Sequence, residues 1–171
     1  IATRGSNIGM GGPAMVEGGG LGQFKPEDIG PSALQHANGV IDLLVDDEAQ
    51  AVATARHYLS FFQGRVPQWT APDTLALRTV VPENRLRVYD TQAVWPALFD
   101  EGSVLPLRTG FGIGMHTALA RIEGRPVGVI ANNPLHLSGA IDAEAADKGA
   151  RFLQLCDAHG LPVVSLIDTP G

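Results

Sequence analysis

Main-chain groups rather than side chains carry most of the chemical potential of this sequence. Glycine supplies 21 of 171 residues, gathered in segments 5–30 and 110–139. Where Cβ is missing, peptide N–H groups can come close to a ligand. Donors converging on one oxygen stabilise a developing oxyanion by ~3–4 kcal/mol. Gly110, Gly112 and Gly114 form one such loop, and Asp168-Thr169-Pro170-Gly171 leaves a short apolar run at its C-terminal end, where α/β proteins bind ligands. Asn132-Asn133-Pro134 leaves a second apolar run; it reads either as a plain turn or as backbone lining a site. Arg121 and Arg125 flank the dipeptide Glu123-Gly124 and either meet a phosphate or stay solvated. The five histidines, His36, His57, His116, His136 and His159, share no ligand spacing, so no metal site is expected. His57 within a helix and His159 at a helix end read as structural. No G-x-S-x-G elbow anchors a serine hydrolase. Gly9-Met10-Gly11-Gly12-Pro13-Ala14 fits the dinucleotide pattern superficially, but Gly18, Gly19 and Gly20 each cost up to about 1 kcal/mol in a helix that would have to follow. Close backbone packing explains those glycines better.

The elements that must hold these groups are clearest in the last third. His116–Ile122 reads as a strand ending in a tight turn at Glu123-Gly124. Val127–Ala131 is unbroken apolar, the mark of a strand covered on both faces. Asp142 suits the cap of a helix to about His159, with Gly160 as its left-handed terminator. Ala145, Gly149, Phe152, Leu153 and Cys156 fall on one stripe at helical spacing. Glu144 with Lys148 and Asp147 with Arg151 read as solvent-facing i,i+4 pairs. Val163–Ile167 is expected as a strand parallel to Val127–Ala131. Upstream, Ile1–Arg4 reads as the tail of a strand, Pro26–Ile29 as a helical turn and Val40–Val45 as a strand. Asp46 is expected to cap a helix over 47–63, buried through Val52, Ala55, Leu59 and Phe62. Arg65–Arg87, with Pro67, Pro72 and Pro82, reads as an irregular linker. Thr91–Phe99 suits a short helix despite Pro96, and Val104–Arg108 an extended segment.

Composition is ordinary for a globular chain, with 44% hydrophobic and 18% charged residues. Net charge −6 argues against nucleic acid as a main partner. No apolar stretch of about 18 or more residues predicts a membrane span. The single Cys156 excludes an intrachain disulfide and suits a reducing compartment. A chain starting on Ile1 and stopping at a loop corner is expected to be a segment of a longer protein.

Long stretches resemble one family. Gly110-Phe-Gly-Ile-Gly-Met, Ala118–Pro134, Gly139–Lys148, Ala150-Arg-Phe, Cys156-Asp-Ala and Asp168-Thr-Pro-Gly resemble the carboxyltransferase (beta) subunit of biotin-dependent acyl-CoA carboxylases. Ile8–Met15 and Glu17–Gly22 are similar to the late part of that family's N-terminal half, and Pro82-Glu-Asn-Arg with Tyr89-Asp to its bridge between halves. The resemblance implies an α/β, crotonase-like fold in two related halves. The end of the first half would occupy 1–64, the bridge 65–103 and the start of the second half 104–171. It implies carboxyl transfer from carboxybiotin to a short acyl-CoA such as acetyl- or propionyl-CoA, through enolates held in backbone oxyanion holes and without a metal. Biotin would arrive on a biotin carboxyl carrier protein charged by biotin carboxylase. A homotrimer or hexamer is implied, in the cytoplasm or, in a eukaryote, the mitochondrial matrix. Gly171 would open one oxyanion loop; Gly110, Gly112, Gly114, Asn132, Asn133, Arg121 and Arg125 would support substrate. The family's first oxyanion loop lies ahead of the position matching Ile1, so the 171 residues alone are expected to be inactive. The alternatives are another crotonase-type hydratase or isomerase, for which Glu17 and Glu144 are the candidate acid/base residues, the carboxyltransferase of a sodium-pumping decarboxylase, and a non-catalytic interface module.

Overall fold

The computed structural model describes residues 1–84 and 87–170. Its centre is a four-stranded sheet in the order β3 (Leu105–Leu107), β4 (Met115–Ile122), β5 (Arg125–Asn132) and β6 (Val163–Leu166). β4 and β5 form an antiparallel hairpin in register from Met115 opposite Asn132 to Ile122 opposite Arg125. Its two-residue turn holds Glu123 at φ 51° and Gly124 at φ 76°, the doubly left-handed geometry that a twisted hairpin prefers. β6 lies parallel to β5, with Gly128 opposite Val163 and Ala131 opposite Leu166. That is the expected pairing, reached through a crossover helix.

The crossover is α6 (Ala143–Ala158). Asp142 caps it by accepting from Ala145 N at 2.8 Å, and Gly160 follows at φ 63°, both as the sequence indicates. The buried stripe differs in two places. Lys148 replaces Leu153: Lys148 is 2% exposed and Leu153 43%. The expected solvent pairing of Glu144 with Lys148 therefore does not exist. Helical spacing places 148 beside 145, 149 and 152, and the cavity beneath the Gly110–Gly114 loop accepts its long stem. Where α6 crosses β5, Gly128 leaves room for Cys156 and Phe152.

Two apolar groups hold the sheet. On one side Trp95 and Phe99 pack on Ala118, Ala120, Val127 and Val129. On the other, Phe61, Leu107, Leu119, Phe152 and Cys156 meet. Trp95 and Phe99 come from the segment expected as one helix over 91–99. It is instead a 3₁₀ turn at Thr91–Val94 running into α5 (Trp95–Leu98), since Pro96 fits only the first turn of an α-helix.

Upstream, β1 (Ala2–Thr3) and β2 (Leu44–Val45) form a small parallel pair. The expected strand over 40–45 shrinks to those last two residues: Ile41 N donates to Gln35 O and Asp42 O accepts from Arg108 N, so neither joins a ladder. α1 (Pro13–Gly18), the 3₁₀ turn Pro26–Asp28 and α2 (Ser32–Ala37) lie between them. α3 (Glu48–Ser60) is capped by Asp47, which accepts from Gln50 N at 2.8 Å. Asp46, the expected cap, pairs with Arg4 instead. No α3 residue is buried; Val52 and Leu59, expected on its core side, are more than half exposed, and Phe61 just beyond the helix is fully buried. Residues 65–84 of the expected linker carry more order than a linker. Asp73 accepts from Leu75 N at 3.0 Å, starting a 3₁₀ turn at Thr74–Ala76 that continues into α4 (Leu77–Val80). Val66 N donates to Gly124 O and Glu101 N to Thr70 O, tying this stretch to the hairpin turn and to the turn after α5.

Candidate functional site

The carboxyl ends of β5 and β6 open side by side, and two loops meet there. The first follows β5. Asn132 is buried, its carbonyl accepts from Thr91 Oγ1 at 2.6 Å and its amide donates to Gly139 O at 3.2 Å. Asn133 donates through Nδ2 to Ile113 O at 2.8 Å and accepts from Leu135 N at 3.1 Å. Both asparagines thus fasten the loop to its neighbours, and Asn133 also lines a cavity described below. The backbone then runs left-handed through Leu137 (φ 46°), Ser138 (φ 55°) and Gly139 (φ 89°). Such a run stores strain of about 1–3 kcal/mol at each non-glycine residue. It turns the N–H groups of Leu137 and Ser138 away from any ladder, and neither donates to a group among the described residues.

The second loop follows β6. A Cβ on Gly139 would collide with the carbonyl oxygen of Asp168, so the two loops touch through bare backbone. Tyr89 donates its phenol to the Asp168 carboxylate; burial, then that charge, raises the tyrosine pKa. His136 lies 2.8 Å from Asp142. Asp142 titrates below the usual carboxylate range, first because Ala145 N donates to it and next because of His136. The site is therefore two unpaired N–H groups where the strand-end loops meet, with Asp142 and Asp168 beside them. Gly171, expected to open an oxyanion loop, lies outside the described residues, as do Arg85 of the bridge motif and Leu86 after it.

The Gly110–Gly114 loop covers the start of α6. A Cβ on Gly112 would sit 2.6 Å from Glu144 O, and one on Gly114 2.9 Å from the His136 ring; one on Gly110 would overlap the His36 ring. Each missing Cβ makes room for protein. Arg121 is corrected outright: it is 5% exposed, and its guanidinium donates to Ser60 O (2.7 Å), Gly64 O (3.1 Å) and Gly124 O (2.8 Å). It is a structural post and no solvated turn arginine. Arg125 is exposed.

Sequence reasoning missed the Leu137–Gly139 turn and the surroundings of Lys148. Ser138-Gly139 soon after Asn-Asn-Pro was the available signal for the first. Nothing in residue type signals a lysine on a core stripe. Lys148 reaches Gly112 O at 3.5 Å, and its pKa falls to about 8, mainly through burial and then through the Arg108 charge. His116 is likewise lowered, burial being the largest cause, with Asp90 opposing and Lys148 reinforcing. Between pH ~8 and 10.5 the unfolded chain keeps a proton at Lys148 that the folded chain has released. Stability therefore rises with pH across that window, while below it both states are charged and the burial penalty is complete. Denaturant unfolding of the protein and of Lys148→Met should show this: the difference between them drifts in favour of the native lysine from pH 8 to 10.5. A constant difference would contradict the lowered pKa.

Comparison with known proteins agrees with this geometry. The model of the carboxyl transferase domain matches residues 1–171, and the chain belongs to that family. It is 38% identical over 157 residues to the biotin-dependent long chain acyl-coenzyme A carboxylase beta4 subunit of Mycobacterium tuberculosis, covering 85% of this chain and 30% of that protein. Against the propionyl-CoA carboxylase carboxyltransferase subunit of Haloferax mediterranei it is 34% identical over 143 residues, 78% of this chain and 28% of that one. Among solved structures, a single-chain, multi-domain long-chain acyl-CoA carboxylase superposes with TM-score 0.94 at 55% identity, over 99% of this chain and 18% of that chain. The transcarboxylase 12S hexamer with hydrolysed methylmalonyl-coenzyme A superposes with TM-score 0.82 at 29% identity, over 100% and 36%. The fold is the crotonase-like α/β fold of carboxyltransferases. The chain spans under a third of the curated relatives just named.

Proposed function

We propose that the protein containing this segment transfers a carboxyl group from carboxybiotin to an acyl-CoA, by way of enolates held by main-chain N–H groups. The observation that carries this reading is the Leu137–Ser138 pair of unpaired N–H groups at the carboxyl end of β5, in a chain of the carboxyl transferase family. Loss of the carboxyl group leaves an enolate oxygen on biotin, and gain of one requires an enolate on the acyl thioester. Both need fixed donors where negative charge develops, since preorganised dipoles cost no reorganisation during the reaction. The residues present fit such a use: Gly139 and the 168–170 backbone shape the cleft, Asn132 and Asn133 hold it open, and Tyr89 with Asp168 fixes its far wall. Biotin and CoA supply the ureido and thioester groups on which that chemistry occurs. No side-chain base is required, because biotin freed of carbon dioxide can take the α-proton.

In this reading 1–64 ends a first half, 65–103 bridges and 104–171 begins a second half, with Gly171 opening a further donor loop. A biotin carboxyl carrier protein and biotin carboxylase are the partners, and copies of the chain form a trimer or hexamer in the cytoplasm. Transfer of label from carboxybiotin on the carrier to acetyl-, propionyl- or a long-chain acyl-CoA by the full-length protein tests it. Transfer to one of them is expected. Hydration or isomerisation of an enoyl-CoA without transfer would favour the other crotonase-type enzymes.

A further inference from the structure

We propose that the cavity between Lys148 and His116 is a binding site for a small carboxylate anion. It encloses about 150 Å³ beneath the Gly110–Gly114 loop, on the β3–β4 side of Asn133. Gln92, Thr109, His116, Asn133 and Lys148 bring polar atoms to its wall.

The argument starts from an imbalance of charge. Lys148 is 2% exposed, and among the described residues no carboxylate lies within ion-pair distance of it. Its ammonium carries three donors, and the one acceptor given to it, Gly112 O, stands at 3.5 Å. Lysines are almost never fully buried without a counter-charge. Arg108, buried behind it, adds a second cation; its Nε is paired with Asp42 at 2.6 Å, and its Nη2 has no partner. On the opposite wall Gln92 Nε2 stands 3.1 Å from His116 Nδ1. The other ring nitrogen is 3.7 Å from Asp90, which sits half exposed at the rim. Asp90 is the one carboxylate facing the cavity from these elements, and it is too far from Lys148 to serve it.

A one-carbon carboxylate fits the space and the donors: Lys148 takes one oxygen, and His116 or the Gln92 amide takes the other. The same group can arrive as free hydrogencarbonate or formate, or as the carboxyl of a carboxylated substrate reaching in from the strand-end cleft past Asn133. The identity of the anion rests on the carboxyl-transfer reading, whereas the existence of the site does not.

The test is a titration of the full-length protein labelled with ¹³C at lysine Cε. Its buried Lys148 gives a resonance apart from the solvated lysines. Sodium formate, and separately hydrogencarbonate, should shift that resonance saturably in the millimolar range, while formamide and sodium chloride at matched ionic strength should not. Lys148→Met should remove the responding signal. His116→Asn, which leaves that signal in place, should weaken formate binding at least 5-fold. Response to a carboxylated acyl-CoA but not to the free anions would assign the site to a carried carboxyl. Absence of any saturable shift, an equal shift with chloride, or an unchanged affinity in His116→Asn would overturn the proposal. Loss of carboxyl transfer together with intact formate binding would sink the proposed function and leave the anion site standing.

Discussion

In the full-length protein, replacing Gly139 with alanine is expected to cut the proposed carboxyl transfer by about 100-fold or more in kcat while the sheet stays folded. Two effects add. At φ 89° an L side chain is strained, and the new Cβ would overlap the carbonyl oxygen of Asp168. The two strand-end loops must then separate, and the Leu137 and Ser138 N–H groups shift with them. Displacing one oxyanion donor costs about 100- to 1,000-fold. Gly160→Ala is the matching control. It also has positive φ, 63°, but a Cβ there meets nothing within 4 Å, so it should cost on the order of 1 kcal/mol in stability and leave kcat alone. Circular dichroism and steady-state kinetics on both variants decide the matter. Equal loss in the two would mean that backbone strain in general, and not this cleft, governs the rate.

Arg121→Ala should be among the most destabilising single changes in the hairpin, by about 3–5 kcal/mol. The guanidinium stitches three main-chain carbonyls, from Ser60, Gly64 and Gly124, into one point, and its Cζ lies 5.0 Å above the Phe61 ring. Behind it, buried Asp100 accepts from Glu123 N at 2.9 Å and Gly124 N at 2.7 Å. Truncation leaves the Gly64 carbonyl without its donor, strips Ser60 O and Gly124 O of their charged one while Gln63 N and Val66 N remain on them, and takes from Asp100 its neighbouring cation. Arg125→Ala, four residues away and exposed, should change stability by less than about 0.5 kcal/mol. Urea unfolding of the pair separates the roles. A small effect at Arg121 would return it to the list of ligand-binding candidates.

The hairpin, the crossover helix and the parallel pairing of β5 with β6 were all legible, because local signals there agree. An apolar run, a capping Asp142 and a terminating Gly160 each point to the same element. Reading failed where tertiary contacts override pattern. α3 has helical spacing and an apolar set, yet Val52 and Leu59 face outward, because the sheet it approaches takes Phe61 instead. Lys148 looked like half of a surface pair, since charge type says nothing about a cavity made by a loop centred 36 residues upstream. Arg121 was ambiguous for the same reason: two of its three carbonyl partners, Ser60 O and Gly64 O, lie 61 and 57 residues away in sequence. At the site, the glycines and asparagines stood out by type. The left-handed Leu137 and Ser138 did not, since neither residue favours that conformation by itself.

The empty place at Gly128, which lets Cys156 settle against β5, also makes a timer. Burial pushes that thiol up to about 11, so at pH 8 only roughly one molecule in a thousand would carry the thiolate even with the sulfur in reach of reagent. Alkylation must therefore wait for α6 to lift from the sheet. Its rate measures how often the crossover helix lets go in the native protein, and any ligand that clamps the strand-end loops onto α6 would slow that clock.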